Sequence, residues 1–162
     1  MEASFIQTHT TDKTTRYQTF LKQFVPLIEG EKHEVSVLAN TCAALKEAFG
    51  FFWVGFYLVE NDNLILGPFQ GSVACYSIRK GCGVCGTAWA EARTMVVPDV
   101  DQFPGHIACS SLSRSEIVVP LIAHGKVKGV LDIDSDQLDT FDDTDKEYLE
   151  EIVRILIDEL YN

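Results

Sequence analysis

Positive charge is scarce in this chain: 13 Lys and Arg stand against 24 Asp and Glu in 162 residues, a formal net charge of −11. Such a surface repels a phosphate backbone, and no Lys/Arg stripe overrides it, so nucleic acid is not expected as a partner. Long apolar runs are missing too. No stretch approaches the ~20 residues that cross a bilayer, and the opening MEASFIQTHTTDKTT has neither the basic nor the apolar segment of a secretion signal. Internal repeats, low-complexity tracts and linkers are also absent. The expectation is a soluble, cytoplasmic protein with no membrane partner. Its 162 residues, 46% of them hydrophobic, suffice to enclose the core of a single domain spanning 1–162.

Cysteine, in contrast, is present and clustered. Cys75, Cys82, Cys85 and Cys109 lie among Gly, Ser, Pro and His, where a thiol is reachable, whereas Cys42 falls on the apolar stripe of a helix and reads as core. A reducing compartment keeps thiols unpaired, so grouped cysteines there point to catalysis, redox sensing or a metal.

Apolar periodicity predicts two N-terminal helices within about 13–49. One carries Tyr17, Phe20, Leu21 and Phe24 and is interrupted at Pro26; the other carries Val35, Leu38, Cys42, Leu45 and Phe49 and stops at Gly50. FFWVGFYLVE alternates, with Trp53, Gly55 and Tyr57 on one face, and turns at NDN into NLILGPF. GVCGTAWAEAR reads as a short helix, TMVVPDV as a short strand, and residues 98–114 as a long loop inside a pocket and redox region of about 72–115. SEIVVPLIA and KVKGVLDID are strands around His124-Gly125, and a helix capped at Asp142 or Asp143 closes the chain. The order describes an α+β sandwich with a mainly antiparallel sheet.

The last two strands can be registered by their apolar residues. Ile117, Val119, Leu121 and Ala123 share one parity, as do Val127, Gly129, Leu131 and Ile133; facing both sets the same way buries every pair. That register needs an odd-length loop or a bulge near His124-Gly125. It sets Glu116 opposite Asp134, with Asp132 two residues along the same face. Val118, Pro120 and Val130 make that face half-buried, and three carboxylates there need a cation or must hold protons. Trp53 and Tyr57, four residues apart on one strand face, offer an aromatic wall. A small ligand carrying an ammonium group would suit both features. Two other readings use the cysteines alone: Cys82-x2-Cys85 with His106-x2-Cys109 has the spacing of a Cys3His zinc site, and CGVC resembles a thioredoxin-like redox motif.

FWVGFY, GVCGTAW, VPDVDQFPGHIACSS, SRSEIVVP and GKVKGVLDIDS together resemble the free methionine-(R)-sulfoxide reductases, single-domain enzymes of the GAF fold, from about Phe52 to Asp145. The resemblance implies a six-stranded antiparallel sheet with helices on one face and a ligand pocket on the other. It implies an oxidoreductase that reduces the R-sulfoxide of free methionine, with no bound cofactor or metal and with electrons from thioredoxin. Carried over by position, it makes Cys109 the nucleophile and Cys85 and Cys75 the other redox cysteines. Glu116, Asp132 and Asp134 become the pocket acids, Glu116 or Asp134 the proton donor, and Trp53 and Tyr57 the contacts to the methyl and sulfoxide end. Under that reading Cys85, near a helix N-terminus, is expected to have the better-placed thiolate, with Cys75 the alternative resolving thiol. Cys82 stands where the family is usually basic, and Ser110 where it commonly has Asp. A GAF domain that binds a small ligand without catalysis stays open, and so does a homodimer.

Overall fold

The computed structural model describes residue 5 and residues 9–107 and 109–162; residues 1–4 and 6–8 of the N-terminal stretch read above for a signal lie outside them, as does Ala108 of GHIAC. Two helices come first, α1 (Lys13–Ile28) and α2 (Glu34–Phe49). Asp12 caps α1 by accepting the Thr15 amide, and Gly50, at φ 65°, ends α2 in the left-handed conformation. Pro26 does not interrupt α1. It sits in the last turn, where its missing N–H forfeits one bond, and the Glu29 amide still closes onto the Val25 carbonyl at 3.1 Å. In α2 the buried stripe runs through Val37, Leu38, Thr41, Cys42 and Leu45, while Val35 is exposed. Cys42 is core, as expected, its thiol donating to the Pro68 carbonyl at 3.3 Å.

Six strands follow: β1 (Trp53–Glu60), β2 (Asn63–Gln70), β3 (Ser77–Arg79), β4 (Met95–Val97), β5 (Ser115–Ala123) and β6 (Lys126–Ser135). Between them lie α3 (Gly83–Glu91) and a single 3-10 turn at Val100–Gln102, and α4 (Asp143–Tyr161) closes the chain behind an Asp142 cap. The sheet order is β3-β2-β1-β6-β5-β4, every neighbouring pair antiparallel. β3 is the strand the periodicity did not give, because three residues are too few to alternate visibly.

The β5–β6 register is the one that apolar matching required, with Glu116 opposite Asp134 and Ile117 opposite Ile133. His124 (φ 51°) and Gly125 (φ 74°) form a two-residue turn, and the odd count comes from a bulge opposite Leu121 and Ile122. One sheet face presents Val54, Phe56, Ile117, Val119, Leu131 and Ile133 to α1, α2 and α4. The other presents Trp53, Tyr57, Val118 and Val130 to α3 and the loops, and both faces of β5 are therefore dry. Val118 and Val130 are fully buried rather than half-buried. No helix among the described residues is long and apolar enough to cross a membrane.

Candidate active site

The second face of the sheet carries a cleft of about 550 Å³, mouth included, lined by residues of β1, β5, β6, α3 and both cysteine-bearing loops. Its aromatic wall is Trp53 and Tyr57, rings 6.2 Å apart and stacked. Gly55 between them supplies room: a Cβ there would sit 2.5 Å from the Trp53 indole and 2.5 Å from Phe69 Cβ. Gly71, at φ 142°, does the same from β2's end, where a Cβ would lie 2.4 Å from the indole. The indole N–H donates to the Ser72 carbonyl at 2.9 Å, and the Tyr57 hydroxyl to the Cys75 carbonyl at 2.9 Å.

Across from the rings stands the acid wall. β1 pairs Trp53 with Asp134 and Gly55 with Asp132, so β6 places its two carboxyls beside the indole, and β5 adds Glu116. No Lys or Arg lines the cleft among the described residues. Asp132 Oδ1 is buried without a hydrogen-bond partner. Burial, reinforced by the charges of Asp132 and Asp134, holds the Glu116 carboxyl well above the usual carboxylate range; burial and the Asp132 charge do the same for Asp134, and burial raises Asp132. Ser113, a residue the sequence gave no reason to single out, lines the same cleft from the loop that carries Cys109 and offsets part of the rise at Asp134. A trio of acids so placed either shares protons or binds a positive group from outside.

Two cysteines close the site. Cys75, after β2, and Cys109, in the loop before β5, form a disulfide across 34 residues with their Cα atoms 5.5 Å apart. Both are half-buried. Cys85 corrects an expectation. It lies in the first turn of α3, yet its side chain is buried and its Sγ meets Glu116 Oε1 at 3.8 Å, so burial and the adjacent acids push its thiol up, not down. Desolvation outweighs the helix dipole there. Cys82, half-exposed at the start of α3, lines the same cleft.

Cys82, Cys85, His106 and Cys109 do not assemble as a zinc site: the Cys109 sulfur is bonded to Cys75, and Cys85 is turned to Glu116. The cysteine that does join an acid cluster is Cys85, whose sulfur lies within 4.8 Å of oxygens of Glu116 and Asp132. An ammonium group fits that cluster without displacing the thiol proton, since its donors meet carboxylate oxygens directly. CGVC does not behave as a dithiol either, because one of its two thiols is buried against acid.

Residues 17–156 match the GAF domain family. A free methionine-R-sulfoxide reductase of Escherichia coli (strain K12) is 46% identical over 143 residues, covering 88% of this chain and 87% of that relative. GAF domain-containing protein A of Dictyostelium discoideum is 57% identical over 145 residues, covering 89% and 92%. This chain belongs to the free methionine-R-sulfoxide reductase family of GAF domains. Its fold is correspondingly close to the X-ray structure of the free methionine-R-sulfoxide reductase from Neisseria meningitidis in complex with its substrate, with a TM-score of 0.93, 53% identity and coverage of 97% and 95%. The GAF sheet here has the antiparallel six strands, the helix layer and the opposite-face pocket that the sequence resemblance implied.

Proposed function

We propose that this chain reduces free methionine (R)-sulfoxide to methionine at the cleft, with Cys109 as nucleophile, Cys75 as resolving thiol and thioredoxin as the source of electrons. The observation that carries the reading is a half-buried disulfide opening on the same cleft as two buried carboxyls, Glu116 and Asp132, and a half-buried third, Asp134, with no Lys or Arg lining that cleft among the described residues. An α-ammonium between Glu116 and Asp132 supplies the missing positive charge, and the stacked Trp53 and Tyr57 take the apolar methyl-sulfur end. A peptide bond at that nitrogen would remove the charge and leave the acids unpaired, which favours the free amino acid.

In the reduced enzyme the Cys109 thiolate attacks the sulfoxide sulfur. Oxide is a poor leaving group, so a protonated carboxyl must supply a proton to the oxygen as it transfers. Asp134 takes this role: burial raises its carboxyl well above the usual carboxylate range, and it neighbours Trp53 across the sheet. Glu116, by contrast, is engaged by the Cys85 thiol. Methionine leaves with its sulfur reduced by two electrons, and Cys109, oxidised by two, retains the oxygen as a sulfenic acid. The Cys75 thiol condenses with it, expelling water and forming the disulfide. A dithiol protein then exchanges with that disulfide and is itself oxidised. No prosthetic group is needed for these steps, and the reading places them in the reducing cytoplasm.

The deciding experiment incubates the protein with thioredoxin, thioredoxin reductase, NADPH and the separated R and S forms of free methionine sulfoxide. NADPH consumption confined to the R form is the expected result. Absence of methionine from both forms, with thioredoxin or with dithiothreitol, would overturn the reading.

A further inference from the structure

Exposed apolar side chains are unevenly distributed over this protein. Among the described residues eight large hydrophobic side chains are exposed, and four of them flank the disulfide in sequence: Val73 (88%) and Tyr76 (86%) beside Cys75, Ile107 (39%) and Leu112 (63%) beside Cys109. Each is at most three residues from a bridged cysteine, so its Cα lies within ~11 Å of that cysteine's at 3.8 Å per residue, and the two cysteine Cα atoms are 5.5 Å apart. Val73 and Ile107 line the cleft mouth directly. Single exposed apolar residues need no explanation, but four gathered around one disulfide do.

Charge is depleted over the same ground. Residues 63–78 and 102–113, which carry both bridged cysteines, contain no Asp, Glu, Lys or Arg, although 23% of the chain is charged. An apolar, charge-free centre within a strongly acidic protein is the composition of an interface core, not of a solvated surface. The small polar substrate of the proposed reaction occupies the acid-lined interior, so it does not account for Tyr76 and Leu112, which lie outside the cleft.

We propose that Val73, Tyr76, Ile107 and Leu112 form a collar that docks a dithiol protein of the thioredoxin type onto the Cys75–Cys109 disulfide. This rests on the proposed function and names the surface by which its reductant is held. The chemistry at the centre selects the occupant, since a half-buried disulfide is reset only by a thiolate brought close to one of its sulfurs. The partner's thiolate attacks one sulfur, a mixed disulfide forms as the Cys75–Cys109 bond breaks, and the partner's second thiol displaces it. The enzyme gains two electrons and two protons, and the partner leaves as a disulfide. A neutral collar also lets an acidic partner approach a chain of net charge −11 without direct charge repulsion at the contact.

The test compares a protein reductant with a small one. Tyr76→Asp and Leu112→Asp change exposed side chains that do not line the cleft, and Val35→Asp, on the exposed side of α2, serves as the control. Reduction of the disulfide is followed by thiol labelling without methionine sulfoxide, and turnover is followed with it, each with thioredoxin and with dithiothreitol. In the collar variants the half-saturating thioredoxin concentration should rise about tenfold or more, as for loss of an interface anchor, while both dithiothreitol rates stay at the wild-type level and Val35→Asp changes neither. Unchanged thioredoxin kinetics overturn the proposal, as does equal slowing with dithiothreitol. A dimer that Tyr76→Asp dissociates with thioredoxin kinetics intact also overturns it, by assigning the patch to a second copy. If the wild type makes no methionine with dithiothreitol, the reductase reading fails on its own, and the labelling arm still judges the collar.

Discussion

The Tyr57 hydroxyl, fixed on the central strand β1, donates to the main-chain carbonyl of Cys75 at 2.9 Å. Burial and the neighbouring acids keep that phenol protonated, so the bond is permanent through the ordinary pH range. The Leu66 amide adds a second tie by donating to the Tyr76 carbonyl at 3.0 Å. One half of the disulfide is therefore tethered to the sheet. The other half, Cys109, sits in the connection between β4 and β5, whose only regular element among the described residues is the 3-10 turn at Val100–Gln102. Opening the bond releases Cys109 more than Cys75, which suits a nucleophile that must reach a substrate and then return to a fixed partner.

Cys75 and Cys85 should accordingly separate by function. Cys75→Ser is expected to release about one methionine per enzyme and then stall, lowering thioredoxin-driven turnover on the order of a hundredfold, because the sulfenic acid loses its resolving thiol. Cys85→Ser, which alters a buried thiol held in its protonated form, should keep turning over at a rate within about threefold of wild type. Methionine released per enzyme, measured by chromatography, decides the matter. A stall in Cys85→Ser with continued turnover in Cys75→Ser would move the resolving role to Cys85.

The contrast between those cysteines also marks what the sequence could convey. Glu116 facing Asp134 was legible because parity of Ile117, Val119, Leu131 and Ile133 leaves one register that buries them all, and a buried face forbids a one-residue slip. The choice of Cys75 as the bridged partner was not, since the bond to Cys109 closes across 34 residues between two irregular segments whose approach local sequence does not encode. Local sequence put Cys85 at a helix N-terminus, correctly, but its environment is set by β5 and β6 packing over α3, and burial reversed the expected effect of the dipole. Pro26 inside α1 shows the same limit in miniature: the local rule against proline loses when only one hydrogen bond is at stake. Gly55 did carry a signal, a glycine centred between two aromatics on a strand, which marks close approach of another group.

Gly55→Ala tests that close approach. The new Cβ would lie 2.5 Å from Phe69 Cβ, which moves only with its strand, and 2.5 Å from the Trp53 ring, which must tilt out of the aromatic wall. Overpacking of this kind costs about 1–3 kcal/mol, so the melting temperature should fall by several degrees. Half-saturating methionine sulfoxide should rise as the methyl contact is lost, with dithiothreitol as reductant to exclude effects on docking. A variant that melts and binds like wild type would remove Trp53 from the recognition surface.

The acid trio gives a pH dependence whose sign follows from burial. Folding raises the carboxyls of Glu116, Asp132 and Asp134 above their ordinary values, so the native state holds protons that the unfolded chain has already released. Stability therefore falls as pH rises. The penalty is absent below about pH 3.8, where both states are protonated, sets in above it, and is complete once pH passes the raised native values. Asp132→Asn removes one ionising group and takes its negative charge away from both neighbours. Its melting temperature should gain on wild type steadily from pH 4 to pH 8, the difference between the two proteins cancelling titration elsewhere. Saturating methionine, whose ammonium neutralises the cluster, should raise the wild type most at the alkaline end and the variant less. Thermal melts at intervals of one pH unit, with and without methionine, measure both effects. A difference that is flat with pH, or that shrinks as pH rises, would mean that the three carboxyls are already ionised and satisfied in the empty cleft, and the ammonium would lose its reason to bind there.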